Sequence, residues 1–368
     1  MSKCLICSSS KIKNIYKSSN NTLARYGFLE QKEEKKVTDS NLKISLSYCK
    51  NCQFAWNDSF NYSLVNYSSD KIIEAGNFSK KYYEYQKQSA KDLIQNIGFI
   101  PEQVLEIGAG SGIFIDAIEA KKKIAIEPSM ESTNISDDIE LHNCYFEKDK
   151  FKFPAELIVM RQVLEHVQDP LNFLKDVLQS FKSKRNLLYI EVPNSYPAFK
   201  NGRFYDFYYE HCNYFTARSL TNIADELGLS LVNMDLAMDG ELISILMSSE
   251  HMIEEDLKEN LIQKEKKFSD QIKNKLLDGE SVIGWGASGN GVQILNKLNL
   301  TEKDIPVVID SDKNKQGLFI PGTNQKIISP QDAKKFNPNT VIIFTQFHKR
   351  EIEKSCREIF GDISILQI

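Results

Sequence analysis

The sequence predicts an α/β protein. A central Rossmann-like sheet is expected, with a small cysteine-bearing domain before it and a second Rossmann-like α/β domain after it. Three observations carry this expectation. Residues 104–114 run from an apolar strand through glycines at alternate positions (Gly108, Gly110, Gly112) into an apolar helix. A second strand, glycine-rich turn and helix return at 281–291. Around both, strand-like apolar runs alternate with helical stretches, the signature of doubly wound parallel sheets whose ligands sit at the carboxyl ends of the strands.

A glycine turn of the first kind lets backbone pass close to a nucleotide-like ligand at a helix N-terminus. Glu106 stands at the end of the strand entering that turn, and a carboxylate there repels a pyrophosphate. It suits a cationic, phosphate-free ligand such as S-adenosylmethionine, which carries an ammonium and a sulfonium. Lys123–Ile126 reads as the next strand, and Glu127 closes it at the spacing of an acid that holds ribose hydroxyls. Glu-x-Gly-x-Gly-x-Gly followed by strand and acid resembles the class I methyltransferases. A turn that only packs helix on sheet is the plain alternative.

At 368 residues the chain exceeds what one core buries well, so two or three domains are expected. A net charge of −4 gives no bulk attraction to nucleic acid or anionic membrane. No apolar run is long enough to span a bilayer, and no signal-type segment opens the chain, so a cytoplasmic protein is expected; a monomer is expected as a separate matter. Seven cysteines in that setting argue for metal or free thiols over disulfides.

The first block, 1–69, holds Cys4-Leu-Ile-Cys7 and Cys49-Lys-Asn-Cys52. Two such knuckles supply four thiolates, a closed tetrahedral shell that leaves no position for substrate, so a structural zinc is expected. The second block, 70–250, carries a helix over 80–96 and strands at 155–160 and 187–192, the latter closing in Pro193-Asn194. A hairpin near 231–235 and 242–247 turns at Asp239-Gly240. Strand ends in this block bring Glu106, Glu127, the Arg161–His166 segment and Glu191–Asn194 to one mouth. The third block, 251–368, opens with a charged helical run that reads as a connector. Its Gly284-x-Gly286-x-x-Gly289 turn and Asp310 match a dinucleotide fingerprint. Bound NAD is thus one reading of the third block; a domain that grips part of the substrate is the favoured one.

Chemistry is expected in Tyr208-Tyr209-Glu210-His211-Cys-Asn213-Tyr214-Phe215-Thr216, where three side chains able to move protons fall within four residues. Histidine titrates nearest neutrality, and a neighbouring carboxylate can orient it. His166, in Leu-Glu-His-Val, falls at the same mouth; a structural role is the plain alternative for both histidines.

Paired cysteine knuckles, a Tyr-x-Glu-His segment leading into Tyr-Phe-Thr, and a glycine-rich third domain together resemble the sugar C-methyltransferases, which act on nucleotide-linked keto-deoxysugars. The likeness spans all three blocks and extends to Lys315-Gln-Gly317 and Pro321-Gly322-Thr323. It implies zinc on Cys4, Cys7, Cys49 and Cys52, and S-adenosylmethionine on Gly108, Gly110 and Glu127; Glu106, Gly112 and Arg161, from the same turn and strand ends, are expected to join the cofactor site. It implies catalysis by Tyr208, Glu210, His211 and His166, and substrate contacts from Tyr67, Asn194, Tyr214 and Asn290. On this reading His211 deprotonates C3 of a 4-keto sugar and Glu210 orients it. Tyr208 and His166 then donate to the enolate oxygen, though base and donor roles can be exchanged between His211 and Tyr208. Two positions depart from the family pattern: Tyr209 stands where histidine is frequent, and Ser288 where the third domain has lysine. O- or N-methylation of a small metabolite, a non-catalytic scaffold and a nucleic-acid methyltransferase are the competing classes. No basic, aromatic-interleaved face accompanies the knuckles to favour the last.

Overall fold

The computed structural model describes residues 3–21, 42–65, 79–129, 135–250, 254–345 and 348–367. The chain divides into two compact units, residues 1–251 and 252–368.

The first unit starts with β1 (Ile12–Asn21), β2 (Leu42–Cys49) and β3 (Ala55–Asn57), an antiparallel ribbon. α1 (Lys80–Ile97) follows, capped by the Ser79 side chain accepting from Tyr82 N–H and closed by Gly98 in the left-handed region. Gln86, Ala90 and Leu93 form its buried stripe at helical spacing. Then come β4 (Gln103–Ile107), α2 (Ile113–Ala117), β5 (Lys122–Ile126), β6 (Glu140–His142) and β7 (Leu157–Arg161). α3 (Pro170–Ser180) has Asp169 as its cap and proline at its first position. β8 (Leu187–Pro193), α4 (Tyr196–Asn201), β9 (Asn213–Tyr214), α5 (Ala217–Leu227) and the hairpin β10 (Ser230–Ala237) to β11 (Leu242–Ser248) complete the unit.

Seven of these strands form one sheet in the order β10-β11-β8-β7-β4-β5-β6. β6, β5, β4, β7 and β8 are parallel, and β11 joins β8 antiparallel as the expected hairpin. All five residues of β7 are buried, which is why this strand reads as a continuous apolar run rather than an alternating one. β9 leaves the main sheet and pairs with β3, giving a second sheet of order β1-β2-β3-β9. Cys4, Ile6, Phe54 and Trp56 share one hydrophobic core with Phe215, Leu188 and Ile245. The cysteine-bearing block is therefore stitched into the methyltransferase-type unit by a shared strand and a shared core.

The second unit holds α6 (Glu254–Leu277), β12 (Val282–Trp285), α7 (Gly289–Lys297), β13 (Val307–Ile309), β14 (Lys326–Ile328), β15 (Thr340–Ile343), α8 (Lys349–Phe360) and β16 (Ser364–Gln367). The sheet is all parallel, ordered β14-β13-β12-β15-β16, the doubly wound order of a Rossmann half. α6 is more than the connector its charge pattern indicated. Phe268, Ile272 and Leu276, one face at four-residue spacing, pack into the core of this unit.

Candidate active site

A cavity of about 1070 Å³ opens where β4, β5 and β7 end, the place this topology reserves for ligands. Glu106, Gly108, Glu127, Arg161, Gln162 and His166 all line it. Gly108 has φ +74°, and a Cβ there would lie 2.3 Å from Val163 Cγ2. The glycine is thus required twice, by backbone conformation and by the close approach of the turn after β7. Glu127 accepts from the N–H of Gly110 and the N–H of Ser129, each at 2.7 Å, so its carboxylate braces the glycine turn from the next strand. Each oxygen keeps a further lone pair, and a ribose hydroxyl would have to use it.

Glu106 stands at the end of its strand as expected from sequence, the penultimate residue of β4, and is buried at only 1% accessible. Burial raises its carboxyl pKa to about 8 against the opposing pull of Arg161, so it keeps its proton at neutral pH. Its Oε2 has no hydrogen-bond partner among the described residues. Arg161 lies under the cavity rather than standing free in it. Its guanidinium donates to Glu191 Oε1 and Gln86 Oε1, both at 2.9 Å, and stacks over the Phe114 ring at 4.3 Å. Tyr85 completes this buried network by donating to Glu191.

Beside the cavity, the segment 208–214 folds back onto the turn 164–167. Asn213 donates through Nδ2 to the carbonyls of Leu164 and Val167, and the Cys212 thiol to that of Glu165. These bonds bring His166 and His211 together edge to face, 4.7 Å between ring centroids. His166 Nδ1 lies 2.8 Å from the Glu210 carbonyl, and His211 Nε2 lies 2.8 Å from the Tyr208 hydroxyl. The carbonyl accepts from His166, which fixes the imidazole tautomer and leaves Nε2 as its second group. His211 is 5% accessible and Glu210 fully buried, so the pair sits in a water-poor setting where proton positions matter most. Glu165, which sequence reading passed over, joins them: it, His166 and His211 each offer an atom within 4.8 Å of the others. The Leu-Glu-His-Val stretch held that signal, since Glu165 is next to a histidine already singled out.

Other expected residues fall elsewhere. Tyr214 is buried and its hydroxyl donates to the Tyr208 carbonyl at 3.1 Å, so it shapes the Tyr208 backbone from behind. Asn194 spends its carboxamide on the Gly240 carbonyl (2.9 Å) and the Tyr196 N–H (3.1 Å). Tyr209, the departure from the family pattern, is buried, and its hydroxyl accepts from Asn61 N–H at 2.9 Å, tying the segment to the first block. Tyr67 lies outside the described residues. Asn290 is exposed in the first turn of α7, in the second unit. In that unit Asp310 accepts from Ala287 N–H and from Lys315 Nζ, both at 3.0 Å, so the acid expected for a ribose in an NAD site is already neutralised by a lysine.

Cys4, Cys7, Cys49 and Cys52 converge, all four sulfurs lying within 4.8 Å of one another. Each knuckle makes the same turn: Ser8 N–H donates to the Cys4 carbonyl and Gln53 N–H to that of Cys49, with Ser8 and Gln53 both at positive φ. Sulfur separations of 3.5 Å (Cys4–Cys52) and 3.6 Å (Cys7–Cys49) are far too long for a disulfide. They are close to the edge of about 3.8 Å that a tetrahedron with 2.3 Å zinc–sulfur bonds requires. The residues fit a four-thiolate metal centre.

Residues 82–233 match the family described as a methyltransferase domain, and residues 249–363 match the C-methyltransferase C-terminal domain. Strand order, glycine turn and these matches define the class: the chain is an S-adenosylmethionine-dependent methyltransferase, and the matches support a C-methyltransferase family. Among curated proteins it is similar to the C-methyltransferase NovU of Streptomyces niveus, 22% identical over 318 residues, which cover 74% of this chain and 76% of that protein. Among solved structures, it is similar to the magnesium protoporphyrin IX methyltransferase of Synechocystis (9% identity, 45% of this chain and 82% of that one, TM-score 0.36). It is likewise similar to a structure of the complex between the Haloferax volcanii Trm112 methyltransferase activator and a putative methyltransferase (13% identity, 47% of this chain and 93% of that one, TM-score 0.37). No described helix is long and apolar enough to cross a membrane.

Proposed function

We propose that this enzyme transfers the methyl group of S-adenosylmethionine to C3 of a nucleotide-linked 4-keto-deoxysugar through an enolate. The hydrogen bond between Tyr208 and His211 carries this reading. It supplies a buried proton acceptor backed by a phenol, next to a cavity that His166 lines. Carbon becomes nucleophilic only when a neighbouring carbonyl acidifies its C–H. His211 takes the C3 proton, the C–H electron pair moves into the C3–C4 bond, and the carbonyl oxygen becomes the enolate oxygen. Tyr208 donates to that oxygen, a form of electrostatic stabilisation that operates most strongly where water is excluded, while His166, its Nδ1–H spent on the Glu210 carbonyl, turns the Nε2 lone pair to the site. When bound, S-adenosylmethionine would supply an electrophilic methyl group to that carbon and would take up the displaced electron pair as a neutral thioether.

The four cysteines hold a structural zinc, since sulfur would fill every coordination position. Its place in the chemistry is indirect: the knuckles anchor β2 and β3, and β3 pairs with β9, whose Asn213 locks the Tyr208–His211 segment. Incubation with methyl-labelled S-adenosylmethionine and a panel of nucleotide-linked 4-keto sugars, followed by NMR, tests the proposal. A new C-methyl signal correlated with ring carbon C3 is expected. A methoxy or N-methyl signal would replace the C3 assignment with a heteroatom acceptor.

A further inference from the structure

Glu165, His166 and His211 form a cluster that the enolate scheme uses only in part. Each offers a ligand atom, a carboxylate oxygen or a ring nitrogen, and the three atoms lie within 4.8 Å of one another. Three points no more than 4.8 Å apart share a centre within 4.8/√3, about 2.8 Å, of each. A divalent ion held by histidine and carboxylate needs bonds of about 2.0–2.2 Å. An inward shift of about 0.7 Å per ligand therefore closes the shell, a movement that side-chain torsions can supply.

The surroundings match those of a metal centre in two further respects. Metal-bound histidines usually engage their second ring nitrogen with a carbonyl, a carboxylate or a similar group, which fixes the tautomer and the ring plane. His166 Nδ1 lies 2.8 Å from the Glu210 carbonyl, and His211 Nε2 lies 2.8 Å from the Tyr208 hydroxyl. Coordination through His166 Nε2 and His211 Nδ1 would leave both contacts in place. The backbone that carries the ligands is also held. Cys212 donates to the Glu165 carbonyl, and Asn213 to the carbonyls of Leu164 and Val167, on either side of the Glu165–His166 pair. Glu165 and His211 are buried while His166 lines the cavity, so protein would close the inner side of an ion and the cavity would face its outer side. Two imidazoles and one carboxylate suit zinc, cobalt or nickel better than magnesium or calcium, which prefer oxygen throughout.

We propose that Glu165, His166 and His211 form a second metal centre, for a divalent ion of the zinc, cobalt and nickel class, and that an ion there disables His211 as a base. A neutral imidazole has one lone pair, and an ion on His211 occupies the pair that would take the C3 proton. The site stands on geometry, whereas its antagonism to catalysis rests on the enolate reading. Because its ligands must close in, this site fills in added cation, whereas the four cysteine sulfurs already stand near zinc spacing.

Equilibration of the full chain as isolated, zinc on its four cysteines, with cobalt(II) tests this by metal count and visible spectrum. Wild type should take up one equivalent of cobalt while keeping its zinc, with the weak ligand-field bands of nitrogen and oxygen ligation. Exchange at the cysteines would give intense sulfur-to-cobalt charge transfer and lost zinc instead. Loss of a group that only orients a metal ligand costs about 10–100-fold in affinity, so Glu165→Gln and His166→Ala should each weaken cobalt uptake by about 100-fold or more. Their zinc content and circular dichroism should match wild type, which separates a lost ligand from a lost fold. Methyl transfer by wild type should fall in proportion to the cobalt loaded and return on chelation. No cobalt beyond exchanged zinc, or undiminished uptake in both variants, would overturn the site. Uptake with turnover unchanged or raised would overturn its antagonism to His211. Absence of turnover on 4-keto sugars before any cobalt is added would refute the enolate reading and leave the metal count to decide the site.

Discussion

Replacing Glu106 by glutamine isolates the most unusual titratable group of the site. The native carboxyl is completely buried and its pKa stands at about 8, against 4.5 for the ordinary side chain. The folded state therefore binds this proton more tightly than the unfolded chain does. The stability it confers is fully present below pH 4.5 and is lost as pH rises through about 8. Within that window the slope is about 1.4 kcal/mol per pH unit, and rounding near the folded pKa leaves a loss of about 2 kcal/mol between pH 6 and pH 8. Glutamine has nearly the same shape as the protonated acid and does not titrate. Wild type should thus lose about 2 kcal/mol relative to Glu106→Gln over that interval, since the other titrating groups are common to both proteins and cancel. Guanidinium denaturation of both proteins at pH 6, 7 and 8, without cofactor, reads this difference directly. A stability difference that stays flat across the interval would mean that Glu106 is already ionised, and the account of a proton-bearing cavity floor would fail.

Gly108→Ala should destabilise the protein by about 1–3 kcal/mol in denaturant melts, because it adds a Cβ at positive φ against Val163. Val163→Ala in the same chain should recover part of that loss, and if it recovers nothing the close approach is not the cause. His211→Ala and Tyr208→Phe should each lower kcat by about 10²–10⁴-fold with cofactor affinity unchanged; undiminished turnover in either would remove that residue from the chemistry. Elemental analysis should find one equivalent of zinc per wild-type chain and none in Cys52→Ser, whose first unit should melt at a lower temperature. Retention of one zinc per chain would contradict the four-thiolate assignment.

Much of the first unit is legible in sequence because local rules and global fold agree there. The parallel strands appear as short buried apolar runs, the helices begin at Ser79, Asp169 and Thr216, and glycines close them at Gly98 and Gly228. The histidine and tyrosine cluster is legible for a different reason: its members are close in the chain, so His211 and Tyr208 need only a local turn to meet. What sequence does not give are the long-range exchanges. β9 has two residues and no propensity signal of its own, yet it fuses the cysteine block to the main unit by pairing with β3. The fate of charge is equally hidden. Glu106, Arg161 and Glu191 read as candidates for ligand contact, whereas burial and mutual pairing decide which of them remain available. Asn194 and Tyr214 likewise read as polar groups at a mouth, and their hydrogen bonds to backbone emerge only when the loops have closed. For α6, charge pattern concealed a core-facing stripe, since three apolar residues in a long charged helix give a weak periodic signal.

Solvent-deuterium exchange, followed by NMR with S-adenosylhomocysteine in place of the methyl donor, interrogates the enolate step apart from transfer. With wild type, a nucleotide-linked 4-keto sugar should exchange its C3 hydrogen, and His211→Ala should stop that exchange while still binding S-adenosylhomocysteine. Methyl transfer proceeding with no wild-type exchange at C3, and with the label arriving on oxygen or nitrogen, would contradict a carbanion formed by the Tyr208–His211 pair.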